Sequence, residues 1–114
     1  MKENFNDFME NLQKQNYYEA HEDLEKIWFP RRFENSDEIK LIKGFINAAV
    51  SFELLKKGKV TQSKKVWKTY LKYRDLILKL DNFEYYIELL NSLTVIETIY
   101  SEKYLDIYNY KEKN

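Results

Sequence analysis

The chain contains no cysteine, one histidine, one proline and two glycines. Without cysteine, a disulfide framework, a thiolate zinc site and a cysteine nucleophile are all excluded. So few turn-forming residues exclude a sheet protein built from many hairpins. No run approaches the roughly 20 consecutive apolar residues that span a bilayer, so no membrane partner is expected. The stretch Met1 to Asp7 also lacks the apolar core of a signal peptide, and a cytoplasmic protein is the expectation. No GxSxG elbow, phosphate-cradling glycine loop or dinucleotide fingerprint occurs. Formal net charge is zero, which speaks against a generic polyanion binder.

What is present is a chain of 114 residues, 44% apolar and 33% charged, long enough for one domain with a real core. The reading is a single helical domain over residues 1–114, the last ~10 of them frayed. Charge is segregated along it. From Lys56 to Lys79 nine basic residues face Asp75 alone, and from Glu3 to Glu25 seven acids accompany only Lys14. Opposed segments of this kind steer a ligand or help neighbouring helices recognise each other.

Hydrophobic periodicity predicts an all-α bundle of about five antiparallel helices. Helix one runs from Phe5 to Lys14, with Phe5, Phe8, Met9 and Leu12 on one face. Helix two spans Tyr17 to Phe29 and ends against Pro30. Helix three spans Ser36 to Lys57 and stops at Gly58. Helix four covers Val60 to Leu80. Helix five starts near Phe83 and presents Tyr86, Leu89, Leu93, Ile96 and Tyr100 along one stripe. Beyond Glu102, the residues Tyr104, Leu105, Ile107, Tyr108 and Tyr110 are candidates to dock on the bundle. Asn16 with Glu19, Asn35 with Glu38, and Asp81 with Glu84 have capping-box spacing, each using Asn or Asp in the cap. Gly44, inside helix three, costs about 1 kcal/mol relative to alanine and so predicts a close helix crossing, continued by Ala48 and Ser51.

The chemistry concentrates on helix two, "NYYEAHEDLEKIW". Tyr17, His21, Leu24 and Trp28 follow the rhythm of a buried seam, which puts His21 at a core position. Glu25 stands one turn on and within side-chain reach, whereas Glu22 and Asp23 point toward water. A buried imidazole and a buried carboxylate each need a partner, so the pair explains itself structurally. The same pairing would orient a general acid-base or a metal ligand. Two ligands do not make a metal site, and "HEDLE" lacks the second histidine of HExxH. Glu53 extends the apolar row Ile42, Ile46, Ala49, where a charge needs a partner. His21, Glu25 and Glu53 are thus the candidate metal set, suited to a divalent transition metal.

Two stretches together carry a family resemblance. "NYYEAHEDLEKIW" resembles the aromatic pair, Glu-Ala-His-Glu, second Glu and Trp of the bacterial and archaeal family called domain of unknown function 309. The matching positions are Tyr17, Tyr18, Glu19, Ala20, His21, Glu22, Glu25 and Trp28. "LIKGFINAAVSFELLKKGK" resembles that family's Gly-Leu-Ile-Gln-x-Ala-Ala helix through Gly44, Phe45, Ile46, Asn47, Ala49 and Gly58. The resemblance extends over about Phe5 to Leu80 and implies a compact all-α fold with no established activity. It also implies a polar group nine residues after Gly44, where members often have histidine and this chain has Glu53.

Three functions compete. A binding or scaffold module comes first, with a candidate pocket of Tyr18, His21, Glu25, Trp28, Asn47 and Glu53. "LQKQNYYEAHEDLEKIWFP" echoes a tetratricopeptide hairpin, although no repeat near 34 residues follows. A metal-binding or hydrolase-like protein using His21, Glu25 and Glu53 comes second; the sequence names no reaction and leans against one. Nucleic-acid binding through helix four comes third, because Trp67, Tyr70 and Tyr73 fall at core spacing and so read as packing. Ten tyrosines leave room for a homodimer or a protein partner.

Overall fold

A computed structural model describes residues 1–109. Five principal helices account for most of them: α1 Lys2–Gln13, α2 Tyr17–Trp28, α3 Asp37–Lys56, α4 Val60–Arg74 and α5 Tyr86–Ile99. A π-helical turn, Tyr100–Tyr104, carries α5 into a short α6, Leu105–Asn109. No strand occurs among the described residues, so the expected all-α fold is the observed one. No helix among them is long and apolar enough to cross a membrane.

The central element is α3, packed against both α2 and α4, while α1 lies against α2 and α5 returns to α1. Buried residues occur on several sides of α3, including Ile39, Leu41, Phe45, Ala48, Ala49 and Phe52. A helix apolar almost all round is one that neighbours surround. The α3–α4 crossing is antiparallel: Gly44 faces Tyr70 and Tyr73, and Ser51 faces Ser63 further along. A Cβ on Gly44 would stand 3.2 Å from Tyr73 Cβ, which accounts for a glycine in mid-helix. At the other end of this seam the two serines bond reciprocally, each hydroxyl donating to the other's carbonyl at 2.8–2.9 Å.

Helix ends are closed by backbone geometry and not by side chains. After α3, Lys59 N–H bonds Leu54 C=O at 2.8 Å and Gly58 N–H bonds Leu55 C=O at 3.0 Å, with Gly58 at φ 75°. That is a Schellman closure, and glycine suits its left-handed position. After α1 the same pair of bonds recurs, from Asn16 to Asn11 at 2.8 Å and from Gln15 to Leu12 at 3.1 Å. Here the left-handed residue is Gln15, at φ 63°.

The three capping boxes do not form. Asn16 precedes α2 as expected, but no side-chain cap bond is made there. Its backbone is committed to closing α1 and adopts φ −89°, ψ 66°, outside the extended conformation that aims a cap at the next turn. Ser36, not Asn35, precedes α3, and Glu38 is taken by Arg31 at 3.2 Å. Asp81 and Glu84 lie in a turn ahead of α5, which starts at Tyr86 instead of near Phe83. Helix four also ends earlier than periodicity predicts, giving way at Asp75–Lys79 to a 3-10 segment.

The C-terminal segment docks through its tyrosines. A π turn is wider than an α turn and changes which side chains the following residues present to a neighbour. Tyr100 stacks on Trp67 at 5.1 Å and Tyr104 meets Phe52 at 5.3 Å. Tyr108 bonds both serines of the α3–α4 seam through its hydroxyl. Leu105 and Ile107 remain exposed, against expectation, and Tyr110 lies outside the described residues.

Candidate functional site

Along α2, the residues with no exposure are Tyr17, Ala20 and Leu24, with Ile27 nearly so. The seam therefore runs i, i+3, i+7, i+10, rotated by about one residue from the predicted Tyr17, His21, Leu24, Trp28. This rotation decides the chemistry. His21 sits at the edge of the α2–α3 contact with 16% of its side chain exposed, while Glu25 is 47% exposed. The cluster expected to be buried is instead a mostly buried imidazole beside a half-exposed carboxylate at a groove margin. Glu22 faces water as predicted, but Asp23 does not: it accepts from Asn11 at 2.7 Å, and burial pushes its carboxyl above the usual range.

The imidazole is held on its own helix. Nδ1 stands 2.6 Å from the Tyr18 carbonyl, which can only accept, so the proton is on Nδ1. Nε2 lies 3.4 Å from Glu25 Oε1, an ion pair only when the ring is doubly protonated. The exposed Tyr18 ring packs edge-on against the imidazole at 5.0 Å. On α3, Glu53 is 21% exposed and faces Lys57 at 3.8 Å. Its charge also contributes to raising the Tyr17 phenol, although burial and the hydrogen bond shared with the Tyr104 hydroxyl are the larger causes.

All six predicted pocket residues reach the α2–α3 groove, but they fall into two depressions. Tyr18, His21 and Glu53 line one of about 220 Å³, together with Tyr17 and Lys57. Glu25, Trp28 and Asn47 line another of about 230 Å³, together with Lys43. Val50 borders both. The predicted metal set is divided between the same two depressions, since Glu25 opens on the second and Glu53 on the first. Among the described residues no three His, Asp or Glu side chains converge to hold a metal ion. Glu25 lies beside His21 and Glu53 beside Lys57, each pair at i, i+4 in sequence.

Val50, Lys57 and Tyr17 were not among the predicted site residues. Val50 continues Ile46 by one turn, so its pattern says core, and it is partly buried against that core while still bordering the groove. Lys57 stands at i+4 from Glu53, a spacing that does signal the pair. Trp67 and Tyr70 are buried and Tyr73 is half-buried, as their core spacing predicts. Tyr70 donates to Glu97 at 2.8 Å, and Arg74 pairs with the same carboxylate at 3.0 Å.

No curated protein and no solved structure matches the chain. One family does, over residues 5–66, a stretch that takes in α1, α2, α3 and the start of α4 and hence both walls of the groove. The chain belongs to the family described as Domain of unknown function (DUF309).

Proposed function

We propose that the protein is a binding module whose α2–α3 groove receives a peptide segment of a partner protein. The observation that carries this reading is the pair of depressions, nearly equal in volume, on either side of Val50. From Lys43 to Lys57 the groove follows about 21 Å of helix at 1.5 Å per residue. A shallow groove of that length suits an elongated ligand with two anchoring side chains better than a compact metabolite. Its polar groups alternate in sign, with Glu25 and Glu53 against Lys43 and Lys57, which favours a partner of mixed charge. Aromatic groups, Tyr18 at one end and Trp28 at the other, are the residue types that carry binding energy at protein interfaces. The imidazole and both carboxylates are engaged within their own helices, an arrangement that orients a recognition surface and offers no activated nucleophile.

The test is selection of twelve-residue peptides from a displayed library, followed by 15N NMR mapping of a purified hit. Amide shifts should concentrate at Tyr18, His21, Asn47 and Glu53, and Val50→Lys should weaken binding tenfold or more without changing the circular dichroism. Shifts confined to another face, or a hit indifferent to Val50→Lys, would overturn the proposal.

A further inference from the structure

Between α5 and α6 the chain holds one π turn, Tyr100–Tyr104, inside what is otherwise a continuous helix over residues 86–109. A π turn bonds i to i+5, so it carries one residue more than the α turn it replaces. Everything after it is turned back by one residue, about 100° in a regular helix. The turn therefore sets a register. With the extra residue absorbed, Tyr104 and Tyr108 face the bundle; with the turn relaxed to α, Lys103 and Ile107 would take their places, three and seven residues after Tyr100.

Hydroxyl groups hold the observed register. Tyr104 shares a hydrogen bond with Tyr17 at 3.1 Å, and Tyr108, lying flat on Trp67 at 4.8 Å, reaches Ser51 and Ser63. Little else ties the segment down: no residue from Tyr100 to Asn109 is fully buried, and Leu105 and Ile107 are 41% and 38% exposed. The seam beneath does not depend on the phenol either. Ser51 and Ser63 each donate to the other's carbonyl, so withdrawing Tyr108 orphans neither hydroxyl. In the α register Ile107 would cover Trp67. Lys103 would lay its stem along Phe52, with its ammonium a donor for the Tyr17 hydroxyl that Tyr104 leaves. The registers thus exchange a few hydroxyl bonds for the burial of an isoleucine, and these are effects of comparable size.

We infer that the C-terminal segment is a two-register switch. The π register seats Tyr104 and Tyr108 on the bundle and leaves Ile107 outside; the α register seats Lys103 and Ile107 and turns both phenols out to water. Rotation about the turn changes the surface the segment offers without unfolding it, and whatever captures the phenol hydroxyls shifts the balance toward the α register.

The experiment records NOEs from the Trp67 indole in the full chain and in two variants. In the parent they should run to the Tyr108 ring. Lys103→Leu combined with Tyr108→Phe removes the serine bonds of one register and gives Phe52 an apolar neighbour in the other. The ratio of Trp67 contacts with the Ile107 methyls to those with the ring at position 108 should then rise at least tenfold. Deleting Glu102, an exposed residue of the turn, should do the reverse. Tyr104 and Tyr108 then stand where a regular helix seats them, so the Trp67–Tyr108 contacts should persist while the carbon shifts of the turn become α-helical. The inference is overturned by a smaller rise in the double variant, by loss of both contacts there because the segment detaches, or by loss of the Trp67–Tyr108 contact on deleting Glu102.

Discussion

Replacing Gly44 with alanine sets two effects of known sign against each other. In an isolated helix the change would stabilise by about 1 kcal/mol, because glycine has more backbone entropy to lose. In this bundle the new methyl would meet Tyr73 Cβ at 3.2 Å, Tyr70 Cα at 3.6 Å and the Tyr70 carbonyl oxygen at 3.8 Å. None of these is the free end of a flexible side chain, so relief requires α4 to move as a body. Such overpacking costs roughly 1–3 kcal/mol. The crowding should prevail, for a net loss of about 1 kcal/mol. Gly44→Val adds two more methyl groups with one preferred rotamer and should lose about 3 kcal/mol. In urea denaturation, with a slope of about 2 kcal/mol per molar, alanine should lower the midpoint by about 0.5 M. An alanine variant more stable than the parent would refute the close crossing as the reason for glycine here.

Three further outcomes follow from the backbone closures and the buried phenols. Gln15→Gly should raise the thermal midpoint by the equivalent of about 0.5–1 kcal/mol, since a left-handed conformation costs an L-residue roughly 1–2 kcal/mol and glycine's extra entropy offsets only part of that. Asn16→Ala, which removes no side-chain cap bond, should stay within about 0.5 kcal/mol, and a loss near 2 kcal/mol would show the cap to be real. Burial, first among the causes, raises the phenols of Tyr17, Tyr70 and Tyr108 above their usual range. The unfolded chain then gives up these protons first, so their stabilisation is complete below about pH 10 and falls as pH rises through the folded values. Urea midpoints should drop between pH 9 and 11, less steeply in Tyr70→Phe, and a midpoint constant over that interval would contradict the burial of these hydroxyls.

Much of the bundle is legible from spacing alone. Phe5, Phe8 and Leu12 are buried as periodicity predicts, Pro30 and Gly58 stand where α2 and α3 give way, and Gly44 does mark a close crossing. Capping-box spacing does not suffice to make a cap, because a cap is a choice of backbone angles, and Asn16 is claimed by the closure of the preceding helix. The margin position of His21 is not legible from spacing, because a seam's centre depends on which neighbours contact the helix, and a rotation of one residue separates a core position from a margin. The roles of Ser51, Ser63 and Tyr108 had no local signal, since they meet across 12 to 57 residues of chain.

By itself, then, the sequence determined that this chain would form helices, roughly where they would run and which residues would gather between α2 and α3. Those features depend on interactions among residues three or four apart, which spacing displays directly. Only the tertiary structure decided that Val50 would divide the predicted pocket in two, that Glu25 and Glu53 would remain on separate sides, and that Tyr100 and Tyr108 would complete an aromatic wall with Trp67. Each of these depends on the rotation and offset of one helix against another. Those are set by the fit of many side chains at once, and no periodicity within a single helix encodes them.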